Sequence, residues 1–293
     1  MGKVYQKLPF ELPVLHAIYW NYWKRYGKHH QRSGLFFEVH VVDHCNLNCC
    51  NCSNFSPLSK PYFIDAAEFE KDIARMSLLA GSKVDTIRLL GGEPLLHERL
   101  DDIIKITRNY FPNPSTRLQI LTNGTLLTRQ DDIFWQTCKA NDVEIMITHY
   151  PVKLDNAAID SLSKKWVVKL SYIDYEPGKN KTMFNLALDK SGKQDILQSY
   201  RKCPFSNTCT ALEHGKLYMC AIAAHINIFN EYFNQNFSIS DADYIDIYKI
   251  QTVDEIFRFL NNPVPFCRYC THKYEENRVE WGVSAKDISE WMK

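Results

Sequence analysis

The most constraining feature of this chain is Cys45-Asn46-Leu47-Asn48-Cys49-Cys50-Asn51-Cys52, a loop with cysteines at 45, 49 and 52. It leaves the apolar run Phe36-Phe37-Glu38-Val39-His40-Val41-Val42, which is bounded by Gly34 and Asp43 and predicts a buried strand. Three thiolates on one short loop can hold three irons of a cubane cluster and leave the fourth iron open. Electron-transfer clusters carry four cysteines and have no such vacancy. An open coordination position separates a reactive metal site from a closed structural one. The loop also fits a zinc knuckle built from Cys45, Cys49, Cys50 and Cys52, although two adjacent thiolates strain a tetrahedral site.

At 293 residues the chain suits one large α/β domain, or a main domain with a smaller appendage, and can bury a full core. Lys plus Arg number 35 and Asp plus Glu 34, a near balance without the clustered basic charge that nucleic acid would demand. Ten cysteines in closely spaced groups, with no signal peptide before them, favour metal ligation in a reducing cytoplasm over a disulfide framework. No run of 18 apolar residues occurs, so no membrane span is expected.

Residues 1–34 form an N-terminal extension in which Val14–Tyr26 predicts a short aromatic helix ending near Gly27. Its aromatic stripe suits packing on the main domain; Lys24, Arg25 and Lys28 beside it also fit a membrane-surface or partner-binding helix. From Phe36 strand and helix alternate. Strands are predicted at Val84–Leu90, Arg117–Thr122, Val143–Thr148 and Trp166–Ile173, and helices at Asp65–Ala80, His97–Tyr110, Thr128–Ala140 and Asn156–Lys164. Repeated βα units of this length imply a parallel sheet, open or closed as part of a barrel, with the active site at the carboxyl ends of its strands. The cysteine loop, Gly91-Gly92-Glu93-Pro94, Thr122-Asn123-Gly124-Thr125 and His149-Tyr150-Pro151 all fall there. Beyond a turn-rich break at 176–181, Thr182–Leu188 predicts a further strand. After 203 cysteines return and strands shorten, with a hairpin predicted between Thr210–Leu212 and Leu217–Cys220 and a helix at Thr252–Asn261. A boundary near 200 therefore divides a core at 35–200 from a cysteine-rich segment at 201–293.

The cysteine loop together with Gly91-Gly92-Glu93-Pro94 resembles the radical S-adenosylmethionine (SAM) superfamily over about Phe36–Ile173. The resemblance implies a partial (β/α)6 TIM-like barrel. It implies that Cys45, Cys49 and Cys52 ligate a [4Fe-4S] cluster whose open iron chelates the methionine end of S-adenosyl-L-methionine, with Cys50 a bystander. Gly91, Gly92, Glu93 and Pro94 match the family's GGE motif, in which glycines allow close backbone approach and the Glu93 region bonds the ammonium. The family usually has an aromatic residue before the third cysteine; Asn51 stands there, leaving the adenine contact polar or supplied from elsewhere. Asn123 resembles a strand-end motif of these enzymes and equally suits capping its turn. Thr148, His149 and Tyr150 reach the next strand end, where ribose or substrate contacts are expected.

Cys203, Cys209, Cys220, Cys267 and Cys270 resemble the "twitch" domain, the half-sized relative of SPASM domains. That implies a small α+β auxiliary domain holding a second [4Fe-4S] cluster on Cys203, Cys220, Cys267 and Cys270. Cys209 is then an alternative ligand, a hydrogen donor in catalysis, or a bystander. A structural zinc ribbon also fits the C-x2-C pair. The activity implied is reductive cleavage of S-adenosylmethionine to a 5′-deoxyadenosyl radical that takes a substrate hydrogen atom, with flavodoxin or ferredoxin as electron donor. Dehydrogenation or epimerisation of a sugar or aminocyclitol is expected, because residues 1–34 are too short for a leader-binding domain. Peptide maturation and a non-catalytic iron–sulfur or zinc protein are the alternatives.

Overall fold

Five strands lie side by side in parallel: β1 (Leu35–Val42), β2 (Val84–Gly91), β3 (Arg117–Thr122), β4 (Val143–Thr148) and β5 (Lys169–Ile173). This is a computed structural model, and it describes residues 34–173, 181–185, 187–206, 208–271 and 278–292. The aromatic helix expected at Val14–Tyr26 lies outside them. The four connections carry helices α1 (Ala66–Ala80), α2 (Leu100–Tyr110), α3 (Asp132–Ala140) and α4 (Asn156–Trp166). Aspartates start three of these: the carboxylates of Asp65, Asp131 and Asp155 accept from first-turn backbone N–H groups. In β1, Leu35, Phe37, Val39 and Val41 are at most 2% exposed. With Ile73 and Met76 of α1 and Ile103 of α2 they form the helix-facing core, each such side chain contributing roughly 1.5–3 kcal/mol.

Predicted boundaries shift at two helices. The helix expected from His97 begins at Leu100, since Pro94–Leu96 is a short 3-10 turn and His97 Nδ1 accepts from Arg99 N. The helix expected from Thr128 begins at Asp132, after a 3-10 turn at Leu127–Arg129. The strand expected at Thr182–Leu188 shrinks to β6 (Thr182–Met183), while Leu188 makes single bridges to Cys270 and Met292.

The sheet does not stop where the composition changes. The proposed boundary at 200 falls inside α5 (Ile196–Lys202), which Asp195 caps. β7 (Ala211–Glu213) then pairs parallel with the free edge of β1, at Glu38↔Ala211 and Val39↔Leu212. β8 (Lys216–Tyr218) and β9 (Tyr244–Asp246) extend it antiparallel, giving one eight-stranded sheet ordered β5-β4-β3-β2-β1-β7-β8-β9. The predicted hairpin is present, turning through His214 and Gly215.

α6 (Ala221–Phe233) was not anticipated. Its first six residues, Ala221-Ile222-Ala223-Ala224-His225-Ile226, show no polar face, so periodicity cannot tell such a segment from a buried strand. The helix is largely buried and follows directly on β8. α7 (Val253–Leu260) starts on a Thr252/Glu255 capping box. β10 (Val279–Glu280) pairs antiparallel with β6 and brings the C-terminal segment over the cysteine loop.

Candidate active site

The loop after β1 takes two left-handed turns, at Asn48 (φ 50°) and Asn51 (φ 52°), a conformation asparagine tolerates better than most residues. A distant strap fixes its path. Cys50 N donates to Gly282 O at 2.8 Å and Ser284 N to Asn48 O at 2.7 Å. Trp281 Nε1 donates to Cys49 Sγ at 3.1 Å, and Trp291 Nε1 to Cys52 O at 2.9 Å. Trp291 is fully buried against Phe55, Phe229 and Phe233.

The end of β2 lies close against the exit of β1. Gly92 N donates to Val42 O at 2.6 Å and Glu93 N to His44 O at 3.1 Å. A Cβ on Gly91 would stand 1.9 Å from Val42 O, and one on Gly92 2.0 Å from His44 O, so only glycine fits at either place. Glu93 is 0% exposed. Its carboxylate accepts from Leu95 N at 3.1 Å, Thr122 Oγ1 at 2.6 Å and Asn123 N at 2.8 Å, which ties the β2 loop to the end of β3. Burial pushes this carboxyl up to about 7, and the three donors pull the other way. Asn123 both caps its turn and reaches the cysteine loop: Oδ1 accepts from Thr125, and Nδ2 donates to Asn46 Oδ1 at 2.8 Å and to Cys45 Sγ at 3.8 Å.

These strand ends enclose a cavity of about 220 Å³. Cys45, Cys49 and Cys52 line it together with Gly91, Gly92, Asn123, Thr148 and Tyr150. Cys209, Phe205 and Met183 line it as well, so the cavity reaches one member of the second cysteine set, while Cys203, Cys220, Cys267 and Cys270 lie outside its lining. Four residues expected at this site do not line it: Glu93, whose bonds go to protein groups, Pro94, His149, and Asn51, which is 8% exposed with Oδ1 unpartnered. Cys50 is half-buried, with Sγ 3.7 Å from Glu280 O, and Cys138 is sealed in the core. His149 is held through its backbone N–H to Ile173 O at 3.0 Å.

No disulfide joins any of the ten cysteines. Burial pushes the Cys45 thiol up to about 11 and Cys49 to about 12, and the neighbouring motif thiols push further the same way. Cys203, Cys220, Cys267 and Cys270 are each at most 9% exposed, and the other three all raise Cys220. Burial likewise raises Cys52, Cys220 and Cys267, and five thiols that resist ionisation on their own, with Cys203 and Cys270 buried beside the second group, fit two cationic centres that would take them as thiolates. Among the described residues, three ligand atoms within 4.8 Å of one another occur at His40, Asp43 and His225, and at neither cysteine set. One zinc at about 2.3 Å from each sulfur needs thiolates about 3.8 Å apart, so the wider spread suits a cluster better. The His40 and His225 rings stack with centroids 3.8 Å apart, which stops both nitrogens from aiming in-plane at one ion.

Among the described residues, both charged members of the cavity lining escaped the sequence analysis as site residues. Glu38 and Arg88 are register partners on β1 and β2 that both face the cavity. A charge inside an otherwise apolar strand is the signal that could have found them, since a strand covered on both faces runs apolar throughout.

Residues 39–154 match the Radical SAM superfamily. Among curated proteins, a GTP 3′,8-cyclase of Chlorobaculum tepidum is 38% identical over 97 residues, covering 33% of this chain and 28% of the cyclase. A GTP 3′,8-cyclase of Helicobacter pylori is 29% identical over 142 residues, covering 47% of this chain and 39% of the cyclase. The similarity thus spans well under half of either relative. A crystal structure of BtrN in complex with AdoMet and 2-DOIA superposes with a TM-score of 0.52 at 20% identity, covering 84% of this chain and 98% of BtrN. It shares the fold.

Proposed function

We propose that the chain, whose residues 39–154 match the Radical SAM superfamily, is a radical SAM enzyme that removes a hydrogen atom from a small polar substrate, leading to epimerisation or dehydrogenation. The observation that carries this reading is that Cys45, Cys49, Cys52 and Cys209 line one cavity. When bound there, a [4Fe-4S] cluster and S-adenosylmethionine supply a 5′-deoxyadenosyl radical. Cys45, Cys49 and Cys52 would hold the first cluster and Cys203, Cys220, Cys267 and Cys270 a second one, with 35–200 and 201–293 supplying the two ligand sets.

The chain's own residues supply position and dryness. Gly91 and Gly92 would let backbone approach the bound S-adenosylmethionine, and Asn123 and Thr148 would offer it polar contacts from the cavity wall. The strap from Trp281 to Trp291 excludes water from the loop's outer face. Burial keeps the Cys209 thiol protonated, at about 12, which is the form able to return a hydrogen atom to a substrate radical. The thiyl left behind regains one electron and one proton, the electron from an external donor such as flavodoxin or ferredoxin.

Cyclisation of GTP, the reaction in the relatives' name, is less well supported. Among the described residues, a single guanidinium, Arg88, lines the cavity, and it is bonded to Gln119. A triphosphate asks for several cationic or backbone N–H contacts. Turnover of candidate sugars and aminocyclitols by reconstituted enzyme in deuterated buffer is the test. One deuteron at an inverted carbon means epimerisation and a carbonyl product means dehydrogenation. Cyclised GTP, or no 5′-deoxyadenosine at all, overturns the proposal.

A further inference from the structure

The polar floor of the cavity narrows the substrate class. Glu38, Arg88, Gln119, Glu144 and Lys169 occupy matching register positions on β1 to β5, a row of polar side chains that runs from the cavity, lined by Glu38 and Arg88, out to the exposed Lys169. Four of them are joined in a chain. Arg88 Nε and Nη2 donate to Gln119 Oε1 at 3.3 and 3.1 Å, Gln119 Nε2 donates to Glu144 Oε2 at 2.9 Å, and Lys169 Nζ stands 3.0 Å from Glu144 Oε1. The fifth is left out. Among the described residues the Glu38 carboxyl has no side-chain hydrogen bond and no ion pair within 4.0 Å, although it is only 2% exposed and lines the cavity.

A buried carboxyl without a donor is unfavourable, so such a group calls for a ligand that brings one. Its neighbour cannot turn to it cheaply, because Arg88 is drawn towards Gln119 and also sits over the Phe36 ring at 4.8 Å. We propose that Glu38 is the substrate anchor, its carboxylate receiving a protonated primary amine of a small polyhydroxylated molecule. Arg88 offsets the burial of Glu38 only in part and through space; the amine supplies a directly bonded counter-charge with up to three N–H donors, where a neutral hydroxyl supplies one. Burial holds the empty carboxyl up at about 8, so arrival of the cation also fixes it as carboxylate. Arg88 and the neutral polar wall leave hydroxyl groups hydrogen-bonded and give a phosphate little.

This inference rests on the proposed function, and its test separates the two. Binding of 2-deoxystreptamine, myo-inositol and myo-inositol 1-phosphate to reconstituted, unreduced protein is followed by saturation-transfer NMR. The amine binds best to wild type. Glu38→Gln weakens it by about tenfold or more, as expected for losing a buried charge-assisted contact, while Glu38→Asp retains part of the preference. Melting temperatures of both variants confirm folding. Equal binding of the amine to wild type and Glu38→Gln, binding of either uncharged or phosphorylated ring as tightly as the amine, or binding of none of the three overturns the inference. Failure of reduced protein to cleave S-adenosylmethionine overturns the proposed function and leaves the binding contrast standing.

Discussion

Replacing Glu93 by glutamine exposes the opposition between burial and hydrogen bonding at the heart of the site. The carboxyl is fully buried and raised from an ordinary 4.5 to about 7. A raised folded value means that its stabilising contribution is complete below the unfolded value and is lost as pH climbs through about 7. Between pH 5.5 and pH 8 the wild-type protein should lose about 2 kcal/mol through this one group, by linkage between the two values. Glutamine cannot titrate, so Glu93→Gln loses that part of the slope. The substitution has its own penalty, because its amide turns a donor towards Asn123 N–H where Oε2 now accepts at 2.8 Å; that costs about 1–3 kcal/mol at any pH. Urea unfolding of both proteins at pH 5.5 and 8, under anaerobic reducing conditions, reads both numbers. Glu38 titrates in the same direction in both proteins and cancels in the difference. If wild type and variant lose stability in parallel, Glu93 is ionised throughout and its three donors outweigh desolvation.

Alanine at Cys45, Cys49 and Cys52 together should halve the iron bound, from about eight to about four atoms per chain, and abolish S-adenosylmethionine cleavage; iron analysis and 5′-deoxyadenosine assay check both. Trp281→Phe removes the indole N–H from Cys49 Sγ. A hydrogen bond to a ligand sulfur favours the reduced cluster, so redox titration followed by EPR should find the potential lowered by roughly 40 mV, the equivalent of about 1 kcal/mol for one electron. An unchanged potential means that the bond is absent in the loaded protein. Cys209→Ser should leave S-adenosylmethionine cleavage intact while product loses its solvent-derived deuteron; mass spectrometry of the product decides, and retained deuterium removes the thiol from the reaction.

Local pattern made the barrel half legible. Strict βα alternation, the strand-exit cysteines and the paired glycines each act over a few residues, and the helices start on aspartates that announce themselves. Contacts across the chain left no such trace. Nothing near Trp281 signals a bond to a sulfur 232 residues away, and nothing in Ala211–Glu213 says that it will pair with β1. α6 was hidden by its own burial, since a helix wrapped in protein loses the polar face that would reveal its period. Glu93 was legible as a motif residue, but its role as a bridge between β2 and β3 depends on Thr122 and Asn123 meeting it from the next strand.

The strap over the cysteine loop also sets an order of events. The loop is synthesised more than 200 residues ahead of the tryptophans that seal it. At a translation rate of about 5–20 residues per second, it waits about 10–50 s without its outer cover. Iron and sulfide delivered during that interval reach Cys49 and Cys52 without displacing any folded structure. Once Trp291 settles among Phe55, Phe229 and Phe233, the same delivery requires the strap to peel away, so a chain folded before loading is slower to fill than a nascent one.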